Sequence, residues 1–249
     1  MVESQIWILD KTLNRGEGFK TSWQGKEISL QFVEKSIRVN VDEMSRVLFL
    51  NNLTTAVKFS IMPDFPDRPT VFIPDREMHI APKTLSKFSF SISLPIILKI
   101  EPGFEKIPIS IPIYKSTWLG EPTSGILAYN ISSKIYFDLS EFKPSFPQDA
   151  LLPVNVINSV DNVTIINKIA VFLSRLSLYN VSNNKLVFSK VRRKILNDNQ
   201  MQALSSKYLP NSIAADGEVI LAGDGDVSNI APYIRIFAKP SAPLVRLST

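Results

Sequence analysis

The sequence predicts an all-β protein of packed antiparallel sheets, and three observations carry that prediction. Residues 87–94 read Lys-Phe-Ser-Phe-Ser-Ile-Ser-Leu, so Phe88, Phe90, Ile92 and Leu94 alternate with Lys87, Ser89, Ser91 and Ser93. A period of two buries one face of a strand and wets the other, and it does not suit a helix. The same alternation recurs as Ile28/Leu30/Phe32, Ile37/Val39/Val41 and Val57/Phe59/Ile61. Glycine, asparagine and proline clusters then punctuate the chain between these runs.

In the first half, the pattern predicts strands at residues 5–9, 28–34, 36–41, 56–61, 70–73, 77–81 and 87–98. Asn14-Arg15-Gly16-Glu17-Gly18, Gln24-Gly25, Asn51-Asn52 and the prolines Pro63, Pro66, Pro69 and Pro74 mark the turns. Short strands at intervals of about 8–12 residues are the pattern of an immunoglobulin-like sandwich. Asp42 is placed to cap a single helical turn within residues 42–50.

Glu101-Pro102-Gly103 sets an expected boundary between two β-sandwich domains, residues 1–102 and 103–249. In Ile107-Pro108-Ile109-Ser110-Ile111-Pro112-Ile113 the prolines lack the donor a ladder needs, which predicts an edge strand or an extended linker. Further strands are predicted at 125–129, 134–139, 163–178, 185–195, 217–221 and 233–238. Residues 143–162, with Pro144, Pro147 and Pro153, read as a surface connection. Residues 198–209 read as a short helix capped by Asp198, with Met201, Leu204 and Tyr208 on one stripe and Pro210 as its stop.

Composition narrows the chemistry. The 249 residues are 45% hydrophobic and 20% charged, which suits a globular protein with real cores. No run approaches the roughly 18 apolar residues of a spanning helix. Met1-Val2-Glu3-Ser4-Gln5 does not open like a signal peptide, so the expected location is cytoplasmic. With zero cysteines there are no disulfides, thiolate nucleophiles or cysteine-held metals. In such a location the Asn-X-Ser/Thr triplets at Asn52, Asn130, Asn162 and Asn180 are read as chance.

The usual residues of an active site are scarce. His79 is the only histidine, and its neighbours Met78 and Ile80 would occupy the opposite strand face. No nucleophile elbow and no phosphate-cradling glycine loop occurs. Asp216, Glu218, Asp224 and Asp226 sit among glycines, as in calcium loops, but aspartate and glycine are also the ordinary hairpin residues. Asp64, Asp67 and Asp75 likewise read as turn residues before a glycosidase pair. The expectation is a protein without catalytic residues, metal or cofactor. A carbohydrate-binding or carbohydrate-active sandwich is the alternative.

Two segments stand out as candidate binding sites. Trp118-Leu119-Gly120-Glu121-Pro122-Thr123-Ser124-Gly125 reads as a loop in which Trp118 anchors a contact beside Glu121, or else plugs the end of a core. In Lys190-Val191-Arg192-Arg193-Lys194, strand geometry puts Lys190, Arg192 and Lys194 on one face as a ridge about 13 Å long. Such a ridge suits phosphates or an acidic partner. The preferred alternative is a sheet edge guarded by charge. Arg193 falls on the apolar side and would need a carboxylate partner or a rim position. The net charge of +5 is spread along the chain, and no tyrosine or tryptophan lies within the basic cluster, so nucleic acid is not the expected partner.

Trp118-Leu119-Gly120 with Gly125-Ile126-Leu127-Ala128-Tyr129, and Pro74-Asp75-Arg76-Glu77-Met78-His79-Ile80-Ala81-Pro82 leading into residues 87–100, resemble an uncharacterised archaeal family of all-β proteins. The resemblance extends loosely over most of the chain and implies an all-β fold, with no assigned activity or site residues. Fold-level analogy then points to a protein-interaction or structural module, with a protein partner or a homo-oligomer formed through loops and free sheet edges.

Overall fold

The computed structural model describes residues 7–51, 54–101, 105–120, 123, 125–181, 185–197, 200–204 and 218–223. Strand accounts for 64% of the structure and helix for 3%, so the all-β, sandwich-like prediction holds. The chain divides into two compact units that are discontinuous in sequence: Met1–Asp64 with Pro95–Pro112, and Phe65–Leu94 with Ile113–Thr249.

The first unit pairs two four-stranded antiparallel sheets. One is a meander of β2 (Gly18–Trp23), β3 (Lys26–Val33), β4 (Ser36–Val41) and β5 (Met44–Phe49). Its three connections are the two-residue loops Gln24-Gly25, Glu34-Lys35 and Asp42-Glu43. Each opens on a left-handed residue: φ is 48° at Gln24, 48° at Glu34 and 54° at Asp42. This backbone matches strand twist in tight hairpins, and Gly25, at φ 82°, carries no Cβ penalty for continuing it. Asp42 is therefore a hairpin residue, and the helical turn expected at 42–50 is strand β5 instead.

The second sheet has the order β1 (Ile8–Asn14), β6 (Ala56–Pro63), β10 (Ile96–Glu101) and β11 (Glu105–Ser110). Phe19 of β2 meets Phe59 of β6 at 4.9 Å between ring centroids, which joins the two sheets. The predicted inward triplets of β3, β4 and β6 are all buried. β11, with Pro108, is an edge strand as expected. Of the expected boundary, Glu101 ends β10 while Pro102 and Gly103 lie outside the described residues, and β10 and β11 pair as neighbours inside this unit. The compact units follow the sheets rather than one cut in the sequence.

In the second unit a mixed sheet runs β12 (Lys115–Leu119), β13 (Ile126–Ser133), β7 (Thr70–Pro74), β17 (Ile169–Val171). A larger sheet runs β14 (Ile135–Tyr136), β9 (Leu85–Ser93), β15 (Asp149–Asn158), β19 (Lys185–Phe188), β18 (Leu178–Val181), β22 (Glu218–Leu221). Off that path, β20 (Val191–Asn197) pairs with β15 and with β21 (Gln200–Leu204). β8 (Met78–Ile80) and β16 (Thr164–Ile166) form a ribbon. Phe72 of β7 stacks on Phe90 of β9 at 5.1 Å, and Phe88 meets Phe90 edge-on, so the two larger sheets share a core. Phe88, Phe90, Ile92 and Leu94 are all buried, as their alternation predicts.

Four expectations are corrected here. The run 87–98 is two strands, β9 and β10, separated at Leu94-Pro95 and belonging to different units. Residues 143–162 are not a surface connection: β15 lies inside the large sheet, with Ala150, Leu151, Leu152, Val154 and Val156 buried. Residues 200–204 of the expected helix form strand β21, because pairing along β20 outweighs a helical stripe. Finally, β13–β7, β15–β19 and β15–β20 pair in parallel, so the sheets are not uniformly antiparallel. Two short 3₁₀ turns, Leu139–Glu141 and Leu173–Arg175, are the described helical elements.

Candidate functional site: a basic face on the large sheet

The register of β9, β15 and β20 assembles a surface that no single segment contains. Lys87 of β9 stands opposite Asn155 of β15, which stands opposite Arg192 of β20. The adjacent row is Leu85, Ile157 and Lys194. Paired residues point to the same side of a sheet, so these six side chains share one face. The core side chains Phe88, Val154 and Arg193 point the other way. Strand spacing puts Lys87 and Arg192 about 10 Å apart, and Arg192 and Lys194 about 7 Å apart.

This face is open at the end that carries these rows. Leu85, Lys87 and Arg192 are exposed, and Asn155, Ile157, Lys190 and Lys194 are half-buried. Leu196, next along β20 on the same side, is 46% exposed. Nearer the other end the same face is covered, because Phe142 packs on Leu151, Val187 and Val181 with Tyr136 and Leu139 beside it. Among the described residues no carboxylate bridges to Lys87, Lys190, Arg192 or Lys194. Lys83, by contrast, is held by Asp161 at 3.1 Å and by the Ser159 carbonyl at 2.7 Å. The result is a cluster of cations that no described carboxylate bridges, beside exposed aliphatic side chains.

The structure thus brings Arg192 and Lys194 together with residues that sequence reasoning missed, namely Lys87, Asn155, Leu85 and Ile157. Only Lys87 gave a signal, as the cation on the polar side of the 87–94 alternation. β20 is paired along both edges, so its charges guard no free edge.

Trp118 belongs to strand β12 and not to a loop. It faces Leu127 across the β12–β13 pair, and the two are 52% and 42% exposed. Glu121 lies outside the described residues. Nearby in sequence register, Tyr129 donates to Asp67 at 2.7 Å, Arg68 lies over its ring, and Tyr114 packs against it at 4.8 Å. Burial, with the Tyr129 phenol beside it, holds the Tyr114 phenol well above its ordinary range, and its hydroxyl donates to the Ser93 carbonyl. The Asp67 hydrogen bond likewise raises Tyr129.

The remaining titratable candidates have structural partners. His79 sits on the exposed side of β8 with Glu77 at 3.5 Å. Asp64 binds Lys106 at 2.9 Å, and Asp75 accepts from the Ile135 amide at 3.3 Å. Asp216, Asp224 and Asp226 lie outside the described residues. Among the described residues no helix is long and apolar enough to cross a membrane.

The chain belongs to the DUF432 family, described as a protein of unknown function, whose model matches residues 10–218 and so reaches into both units. No curated protein and no solved structure matches the chain.

Proposed function

We propose that this member of the DUF432 family is a non-catalytic interaction module whose outer face on β9, β15 and β20 docks an acidic, partly apolar segment of another protein. The observation that carries the reading is the pairing of two rows: Lys87–Asn155–Arg192 supplies donors and positive charge, and Leu85–Ile157–Lys194 with Leu196 supplies aliphatic surface. Cations that no described carboxylate bridges are available to steer and hold an anionic partner. Exposed aliphatics gain only by meeting another apolar surface, which a phosphate backbone does not offer. Neither row contains an aromatic ring for a base to stack on. A protein segment satisfies both rows at once. A cytoplasmic site of action accompanies this reading.

Affinity capture from cells of the source, comparing wild type with Lys87→Glu/Arg192→Glu by quantitative mass spectrometry, tests it. A partner rich in exposed Asp and Glu that is lost at least tenfold with the variant is the expected result. Partners retained equally by both proteins contradict the assignment of this face.

A further inference from the structure

The four sheet edges of the first unit are not alike. β1 is interrupted by a register shift between Ile8 and Lys11, with Asp10 at φ 48°. β2 opens on Gly18 and carries exposed Lys20. β11 carries Lys106 and Pro108 and has a register shift against β10. Bulges, lysines and prolines are the devices that keep edges from pairing with other chains.

β5 has no bulge, lysine or proline, and Arg46 is its one charged side chain. Its sequence Met-Ser-Arg-Val-Leu-Phe contains no proline, lysine or glycine, and it pairs with β4 in unbroken register from Ser36↔Phe49 to Val41↔Met44. The Leu50 amide donates to the Lys35 carbonyl at 2.8 Å, which extends the ladder one residue further. Among the described residues β5 pairs only with β4. Phe49 is 86% exposed, and Val47 is 47% exposed. Val33, 46% exposed, lies in the same outer row as Phe49 through Ser36.

We propose that β5 is a self-association edge, where a second copy of this chain adds its own β5 antiparallel and joins the two meander sheets across a two-fold axis. The occupant follows from the strand's self-complementarity. Read in reverse about Leu48, β5 places Leu48 opposite Leu48 of the second copy. Val47 and Phe49 then meet Phe49 and Val47, an aromatic–β-branched pairing that stabilises sheets. Each Arg46 meets Leu50 and stays clear of the other arginine. A shift of one residue would set outward side chains against inward ones. A shift that centres the axis on Arg46 would oppose two like charges. One residue set therefore meets itself, as an isologous interface requires.

The test uses the full chain, whose cysteine-free sequence makes any introduced thiol unique. Sedimentation over roughly a hundredfold range of concentration should show a monomer–dimer equilibrium. Phe49→Lys, on an exposed side chain, should shift it to monomer at least tenfold. Under mild oxidation Leu48→Cys should cross-link within the dimer, since directly opposed Cβ atoms lie about 5 Å apart. Ser45→Cys, whose counterpart would lie about 20 Å away along the strands, should not. A wild type that stays monomeric throughout overturns the proposal. So does cross-linking of Ser45→Cys as fast as Leu48→Cys, or a Phe49→Lys protein that still dimerises.

Discussion

Arg193 of β20 stands in register with Val156 of β15, which carries a guanidinium onto the face that holds Phe88 and Val154. The residue is 1% exposed, Nη1 donates to the Arg192 carbonyl at 3.2 Å, and Nε has no hydrogen-bond partner among the described residues. The carboxylate or rim position that the sequence calls for is absent among the described residues. Burial pushes the guanidinium down from its ordinary range to about 10.

Removing this charge should therefore not weaken the fold. Arg193→Met, similar in reach and apolar, is expected to be neutral or stabilising by about 1–4 kcal/mol in urea unfolding, as for other buried charges replaced by packed side chains. Arg193→Ala leaves a cavity and should cost about 2–5 kcal/mol relative to Arg193→Met. The sign with pH follows from the lowered value. Above about 10, and below the ordinary arginine range, the unfolded arginine binds more protons than the folded one, so wild-type stability gains as pH rises through that window. The difference between wild type and Arg193→Met should be largest below pH 10 and narrow above it. A difference that widens above pH 10 contradicts this account.

Pro153 explains how a proline enters an internal strand. β15 pairs with β19 at Ala150 and Leu151 and with β20 from Val154 onward, and no residue of either is registered with Leu152 or Pro153. The missing N–H thus falls at the changeover between partners. Pro153→Ala should shift stability by less than about 1 kcal/mol. Val154→Pro, at a residue registered with both Phe88 and Val191, should cost about 3 kcal/mol or more and lower the yield of folded protein. Equal tolerance at the two positions would remove the changeover as the explanation.

Duplex DNA separates the protein-docking reading from a phosphate-binding one. Wild-type binding should be weak and screened by salt, and Lys190→Ala/Arg192→Ala/Lys194→Ala should leave the slope of log affinity against log salt nearly unchanged. A phosphate-binding ridge of three cations would make that slope shallower by about 2–3 units in the variant.

Much of the fold was legible because local alternation suffices where one face is buried. Ile28 to Val41 and Phe88 to Leu94 are strands whose inward residues can be named from spacing alone. Pro153 hid β15, since its tolerance depends on where two other strands begin and end. Met201 and Leu204 suggested a helix because the pull of β20 on them is a tertiary effect. The candidate site was half legible. Arg192 and Lys194 share a face by period two, but Lys87 and Asn155 join them only through pairings between segments more than thirty residues apart, which no local pattern encodes.

The most direct measurement of the central claim is selection of displayed random peptides on the immobilised full chain, with Lys87→Glu/Arg192→Glu as the counter-target. The account predicts enrichment of peptides in which Asp or Glu accompanies Leu, Ile or Phe. Synthetic versions should bind wild type at least tenfold more tightly than the variant and protect the amides of β9 and β20 from hydrogen exchange. Enriched peptides without acidic residues, or acidic peptides that bind wild type and variant equally, would contradict it.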